Sequence, residues 1–183
     1  RNLESPVILA NDILQGELSR SGITTVRFLI NSTAGIAGLF DVAAKMGYER
    51  HSEDFGQTLG RYGMDEGFFL MLPILGPSSF RDALGLGVDF YFDPLNYWAD
   101  NTGHEELMVA RTVVRGIDAR SRTIETLDEI ERTSIDFYAT VRSLYRQQRN
   151  DEIRNGEMPS LPPLPDYTRF SEPDDSESVA AGD

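Results

Sequence analysis

The segment Gly67-Phe68-Phe69-Leu70-Met71-Leu72-Pro73-Ile74-Leu75-Gly76-Pro77 constrains this chain more than any other. It is apolar almost throughout, yet it is broken by two prolines. Proline removes a backbone donor and disrupts a helix interior. The run is also well short of the ~20 apolar residues that a membrane-crossing helix needs. It is long enough to insert as a hairpin, or to form one buried strand-like stretch. The wider stretches 27–43 and 54–82 share its character, with many glycines, high apolar content and turn residues at fixed places. A plain helical domain does not need so many glycines. Backbone that packs closely or bends sharply, as inside lipid, does.

A chain of 183 residues fits one domain, and this length suffices for a core without covalent staples. There is no cysteine, so disulfides, thiol chemistry and Cys-based zinc sites are excluded. The net charge of −13 argues against nucleic acid, which demands a basic face, and against docking to anionic headgroups by charge alone. Residues 158–183 hold six acids, one base and five of the nine prolines. That composition predicts a disordered acidic C-terminal tail behind a helical domain over 1–157. No signal peptide stands at residue 1, and no apolar run is long enough to span a bilayer.

Residues 6–17 read as a short helix ending at Gly16. In 23–31, ITTVRFLIN, β-branched and aromatic residues allow a strand on propensity alone. Gly35 and Gly38, with Ala34 and Ala37 beside them, either let another backbone approach closely or mark a loop before a helix that starts near Asp41. Ser52-Glu53-Asp54 reads as a cap with acids in the first turn, for a helix that stops at Gly63. Ser79-Phe80-Arg81-Asp82 and Thr102-Gly103-His104-Glu105 both fit the capping box. The first opens a helix over about 80–91, interrupted by Gly85 and Gly87, and Pro94 ends the region. The second opens the longest helical periodicity, predicted to break near Arg120–Thr123 or Glu131–Ser134.

No constellation of catalytic residues emerges. Ser78 and Ser79 lack a Gly-x-Ser-x-Gly elbow, and Ser79 has a better role as a cap. His51 and His104 read as surface histidines, brought together by nothing in the sequence as a base or a metal pair. Asp89, Asp93 and Asp100 lack the calcium-loop spacing and read as solvated acids. The glycines match no phosphate-binding pattern. Phe90, Tyr91, Phe92, Tyr97 and Trp98 suit either a lipid–water boundary or a core cluster. Arg111 and Arg115, four apart, suit either a solvated face or a cationic spot for a lipid phosphate.

An ordered set of short motifs resembles the MlaA (VacJ) family of outer-membrane lipoproteins of Gram-negative bacteria. It comprises Arg27-Phe28-Leu29, Asn31-Ser32-Thr33, Gly35, Gly38, Asp41-Val42-Ala43, Phe55-Gly56-Gln57-Thr58-Leu59-Gly60, Gly63, Gly67, Leu72-Pro73, Gly76-Pro77-Ser78 and Arg81-Asp82. Asn11-Asp12-Ile13-Leu14-Gln15-Gly16 fits upstream, as do Tyr138, Arg142, Tyr145 and Gln148-Arg149 downstream. The set covers residues 2–156, and its specificity lies in the order and spacing of the pieces.

The resemblance implies an all-α fold, with 23–31 helical: a ring-like array of amphipathic helices with a hairpin segment, lying in the inner leaflet of the outer membrane around a polar channel. Relatives of this kind begin with a lipoprotein signal and a lipidated cysteine, so this sequence is expected to be a trimmed piece of such a protein. The implied function is transport of mislocalised phospholipids out of the outer leaflet to a soluble periplasmic lipid carrier, next to a trimeric outer-membrane porin, which maintains lipid asymmetry. No cofactor, metal, nucleic acid or catalytic residue is implied. Phe68, Phe69, Leu72, Pro73, Gly76 and Pro77 are expected to form the hairpin or gate, and Gly35, Ile36, Gly38, Leu39 and Phe40 a ridge against lipid tails. Arg111, placed by counting back from Gly116-Ile117, and Arg115 are expected to line the channel. The competing reading is a soluble helical module that binds a protein partner without transporting lipid.

Overall fold

Residues 2–73 and 75–157 are described by the computed structural model of the chain; Ile74 and the acidic tail from 158 lie outside them. Helix α1 (Ser5–Leu14) has a proline in its first turn, where the missing N–H leaves no helical bond unmade, and Gly16 beyond it takes φ +76°. Helix α2 (Leu18–Thr33) covers the segment whose propensity alone allows a strand. Its buried residues are Thr24, Arg27 and Asn31. Their spacing puts all three on one face of a helix, whereas a strand would divide them between two faces.

The chain then turns through residues 34–40 to α3 (Val42–Lys45), capped by Asp41, whose carboxylate accepts from the Ala44 N–H at 3.1 Å. Of the two readings of Gly35 and Gly38, the loop is the one adopted. A Cβ on Gly35 would stand 2.3 Å from the Phe40 carbonyl oxygen, so the turn closes only on glycine. Ile36, Ala37 and Gly38 all have positive φ, an arrangement that is costly for a β-branched residue.

Helix α4 (Phe55–Arg61) is capped by Asp54 alone, which accepts from the Gln57 N–H at 2.9 Å. Strands β1 (Phe69–Leu72) and β2 (Gly76–Ser79) pair antiparallel, Phe69 opposite Ser79 and Leu72 opposite Gly76. The apolar run is therefore a hairpin rather than a single strand. Ser79 caps α5 (Phe80–Phe92) by accepting from the Asp82 N–H. The reciprocal half of the expected box is absent, because Asp82 is engaged by Arg81, Tyr145 and Arg149.

Helix α5 runs straight through Gly85 and Gly87. Gly85 packs directly on α4: a Cβ there would lie 2.3 Å from the Gly56 nitrogen. The close backbone approach considered at Gly35 and Gly38 occurs here instead. Pro94 opens α6 (Pro94–Asn101) under the cap of Asp93, rather than ending the region. Thr102 does not cap the next helix. Its hydroxyl turns back to the Trp98 carbonyl at 2.8 Å, and α7 (Glu105–Thr133) begins after His104 with no side-chain cap. At 29 residues, α7 is about 44 Å long. It ends at Ser134, the second of the two predicted breaks, and Asp136 caps α8 (Phe137–Ile153). The fold is thus mostly helical, with one two-stranded hairpin among the described residues.

The distribution of polarity is inverted relative to a water-soluble domain. Among the described residues, the buried apolar side chains are Ile8, Ala43, Ala99 and Val141, while Asn11, Asp12, Thr24, Arg27, Glu53, Gln57, Thr58, Arg81 and Asp93 are buried as well. Large apolar side chains such as Leu18, Leu39, Phe68, Tyr91, Phe92 and Val109 are exposed. Burial of polar groups is normally tolerated only when they are hydrogen-bonded, and here the polar groups constitute the interior. No helix among the described residues is long and apolar enough to cross a membrane.

Candidate functional site

The interior is built from two ionic networks, both anchored on the caps described above. At the first, Arg27 on α2 makes two bonds to the capping Asp41, at 2.8 and 3.0 Å, and a third to the Tyr48 carbonyl. Burial alone would raise the Asp41 carboxyl, but Arg27 and the Ala44 N–H hold it below the usual range. Asn31 bridges Asp41 and the Ala43 N–H. One turn along α2, Thr24 donates to Asp12 at 2.7 Å, and the His51 Nε2 lies 3.1 Å from both Asp12 oxygens. His51 is therefore a part of the interior, with its side chain 13% exposed, and not the surface residue its sequence context suggests. His104 is exposed. Thr24, Arg27, Asn31, Asp41 and His51 line a cavity of about 250 Å³ together with Gly38 and Leu39.

The second network centres on Arg149 of α8. Its guanidinium forks onto Asp54 and Asp82, the first at the cap and the second in the first turn of α4 and α5 respectively, with four bonds of 2.9–3.0 Å. Tyr145, one turn earlier on α8, donates to Asp82. Burial would raise Asp82, but Arg149, Tyr145 and Arg81 outweigh it and hold the carboxyl at about 2. Asp54 is also held low by Arg149 against its burial. Burial, together with Asp82, pushes the Tyr145 phenol up to about 12. Nearby, Glu53 is almost wholly buried and pairs with Arg20 at 2.5 Å and Gln15 at 2.8 Å.

Asp89 and Asp93, read from the sequence as solvated acids, are both structural. Asp93 is 2% exposed, caps α6, and pairs with Arg111 at 2.5 Å. Asp89 accepts from Asn11 at 3.0 Å and from the Phe55 N–H at 2.8 Å. Burial, reinforced by the Asp54 charge, pushes its carboxyl up to about 6. A raised carboxyl contributes stability that is complete below its unfolded value and lost as pH rises through about 6. Asp89→Asn is therefore expected to remove part of the decline in stability between about pH 4 and pH 6. Parallel denaturant titrations of the two proteins at both pH values check this, and an unchanged slope would show that Asp89 does not titrate there.

Between these networks and α5 lies a cavity of about 660 Å³, lined both by carboxylates and Arg50 and by the apolar Ile8, Leu75, Leu86 and Phe90. The hairpin stands at its edge. Leu75, at the hairpin tip, also borders a cavity of about 210 Å³ with Leu72, Pro77 and Arg149, and one of about 480 Å³ with Leu72, Gly76 and the α7 residues Gly116 and Ile117. Phe69 is held by edge contacts to Tyr138 and Tyr145, at 5.4 and 5.8 Å between ring centroids. Phe68 is exposed and packs at a tilt against Phe80, and Pro73 is an exposed turn residue.

Of the expected channel residues, Arg111 is engaged with Asp93 and with the Leu3 carbonyl at 3.3 Å. Its side chain is 18% exposed. The Arg115 side chain lies outside the described residues. In the expected ridge, Ile36, Leu39 and Phe40 are exposed while Gly35 is buried beneath them. The aromatic group at the α5–α6 corner is also on the surface, with Tyr91 edge-on to Phe92 and Tyr97. Sequence reasoning missed the Arg149 network. The signal was present in the i, i+4 spacing of Tyr145 and Arg149, but its acceptors are acids that sequence reading assigned to capping.

Comparison with known proteins agrees with this architecture. A protein of Rickettsia bellii is 33% identical over 154 residues, which is 84% of this chain and 59% of that protein. The intermembrane phospholipid transport system lipoprotein MlaA of Escherichia coli is 32% identical over 160 residues, covering 85% of this chain and 60% of its own length. The chain thus spans about three fifths of these relatives. A solved structure from work on the structural basis for maintenance of bacterial outer membrane lipid asymmetry superposes with a TM-score of 0.67 at 32% identity, covering 83% of this chain and 75% of that one. The profile of the MlaA lipoprotein family matches residues 1–152, and with that match the chain belongs to the MlaA family.

Proposed function

We propose that this chain forms the lipid-conducting part of an intermembrane phospholipid transport system. It sits in the periplasmic leaflet of the outer membrane and removes mislocalised phospholipids from the outer leaflet to a periplasmic lipid carrier. A trimeric porin is its partner in the membrane, and the function is not enzymatic. The observation that carries this reading is the inverted polarity. A two-chain lipid exposes apolar surface worth ~0.8 kcal/mol per CH2 if it enters water. A body that is apolar outside and polar inside lets the chains stay in the bilayer while the headgroup passes through the interior. The test is the phospholipid content of the outer leaflet in cells lacking the gene, with and without complementation by the whole protein. Accumulation reversed by complementation supports transport, whereas an unchanged leaflet favours the interaction-module reading.

The hairpin is proposed as the gate because Leu72, Leu75 and Gly76 stand where the interior cavities meet α7. Phe68, Phe69, Pro73 and Pro77 set its seat and its bends. These 183 residues contain no cysteine, so Leu72→Cys with Ile117→Cys introduces a single bridgeable pair within them, across the 480 Å³ cavity. Cross-linking this pair is expected to stop transport, and a cleavable linker to restore it on reduction. Normal lipid export with the linker closed would sink the gate.

Arg111 is proposed as a channel-lining cation despite its engagement with Asp93, and Arg115 alongside it. The ridge Gly35, Ile36, Gly38, Leu39 and Phe40 is proposed to touch acyl chains. Replacing Arg111 alone leaves the buried Asp93 uncompensated, at a cost of ~3–5 kcal/mol. The double variant Arg111→Gln/Asp93→Asn is therefore the informative one, since Asn still caps a helix. It is expected to fold and to lose transport. Full transport by the folded double variant would leave Arg111 a purely structural role.

A further inference from the structure

The carboxylates on the 660 Å³ cavity are not equivalent. Glu4 faces Arg50 at 3.2 Å, Glu53 faces Arg20 at 2.5 Å, Asp54 faces Arg149 at 2.9 Å and Asp93 faces Arg111 at 2.5 Å. Asp118, also on the lining, is engaged as well, whereas Asp89 has no arginine, lysine or histidine within ion-pair distance among the described residues. Its contacts are one neutral amide N–H on each oxygen, from Asn11 and Phe55. A carboxylate oxygen accepts more than one bond, so acceptor capacity remains. Burial, reinforced by the Asp54 charge and only partly offset by the more distant Arg149, is also why its carboxyl is pushed up to about 6.

The cavity also presents one cation on a loose tether. The Arg50–Glu4 pair is a single 3.2 Å contact between side chains that are 38% and 30% exposed. Pairs of this kind are readily exchanged for a better partner, and a guanidinium binds phosphate through its fork. Ile8, Leu75, Leu86 and Phe90 line the same cavity. The cavity therefore offers an anion without an ion-pair contact, an exchangeable cation and apolar lining, and these are the complement of a zwitterionic headgroup on a diacyl lipid.

We propose that Asp89 is the docking point for the primary ammonium of an aminophospholipid headgroup, with Arg50 receiving its phosphate. This rests on the lipid-transport reading above and adds selectivity to it: the cavity prefers an ethanolamine headgroup to an anionic glycerol headgroup. It also prefers ethanolamine to choline, whose quaternary ammonium has no N–H to donate.

The whole protein, equilibrated with vesicles of equal parts phosphatidylethanolamine, phosphatidylcholine and phosphatidylglycerol, is repurified in mild detergent and its bound lipids are quantified by mass spectrometry. A charge-assisted hydrogen bond that contributes one decade of affinity predicts an enrichment of phosphatidylethanolamine of about tenfold. Asp89→Asn is expected to return the bound ratio to the offered one, while Asp89→Glu keeps the preference. Wild-type protein that binds the three lipids in the offered proportion overturns the proposal, as does a folded Asp89→Asn variant that keeps the enrichment. If that variant does not fold, the wild-type ratio of ethanolamine to choline lipid decides, and equal binding of the two overturns the assignment. Absence of any bound lipid is a different outcome, because it removes the transport reading as well.

Discussion

Arg149→Ala is expected to destabilise the protein by ~3–5 kcal/mol, the usual consequence of removing one member of a buried ionic cluster. The guanidinium satisfies carboxylates from two other helices at once. Without it, Asp82, whose side chain is only 8% exposed, keeps its charge in a desolvated site. Asp54 is more open, with 37% of its side chain exposed, and contributes less to the penalty. Denaturant titration at neutral pH measures the loss, and a second substitution, Asp82→Asn, should recover part of it. The pH dependence has a definite sign. The Asp82 carboxyl is depressed in the folded state, to about 2, so the ion pair stabilises above the unfolded value near 3.8 and its contribution fades as pH falls through about 2. The gap between wild type and variant should be full at pH 6 and shrink below pH 4. A gap that stays constant to pH 2 would mean the variant fails for reasons other than charge.

The second large effect is expected from the smallest change available. Gly85→Ala adds one carbon, which would stand 2.3 Å from the Gly56 nitrogen and 2.7 Å from its Cα. Both are backbone atoms, so no side chain can rotate away and the two helices must separate. Overpacking costs ~1–3 kcal/mol in ordinary cores, and this site should sit at the top of that range. The separation would also move Asp54 and Asp82 apart and loosen the grip of Arg149. Gly87 provides the control on the same helix: a Cβ there meets nothing within 4 Å. Gly87→Ala should be neutral or stabilising by up to ~1 kcal/mol. Equal effects of the two alanines would exclude steric contact as the cause.

Much of the fold was legible in the sequence because it is written in local chemistry. Gly16 and Gly63 end helices where they were expected to, and Ser79 caps α5. The break before α8 follows one of the two predicted positions. The apolar run with its two prolines left a hairpin as one of two options, and the hairpin is what forms. Resemblance, rather than propensity, placed 23–31 in a helix. What was not legible depends on partners far apart in the chain. His51 is held by Asp12, 39 residues away, and Arg149 by Asp54, 95 residues away. Acids that satisfy a cap and an arginine together look, from the sequence, like caps alone. The inverted interior was equally hidden, because periodicity reveals that a helix has two faces and not which of them is turned inward.

The inversion also reverses where the chain can tolerate change. On the proposed function the apolar exterior faces acyl chains, and there Leu, Ile, Val, Phe and Met are close to interchangeable, because a fluid surround demands no fixed shape. In the interior, a one-atom difference such as Asp for Asn, or a point charge in place of a planar fork, unseats several neighbours at once. Saturation mutagenesis read out as growth under outer-membrane stress should therefore be permissive at Leu18, Leu39 and Val109. It should be intolerant at Asp12, Arg27, Gln57 and Asp82. In such a molecule the bulky apolar positions drift and the small polar ones are fixed, so the residues most diagnostic of the fold are those that a search for a hydrophobic core would pass over.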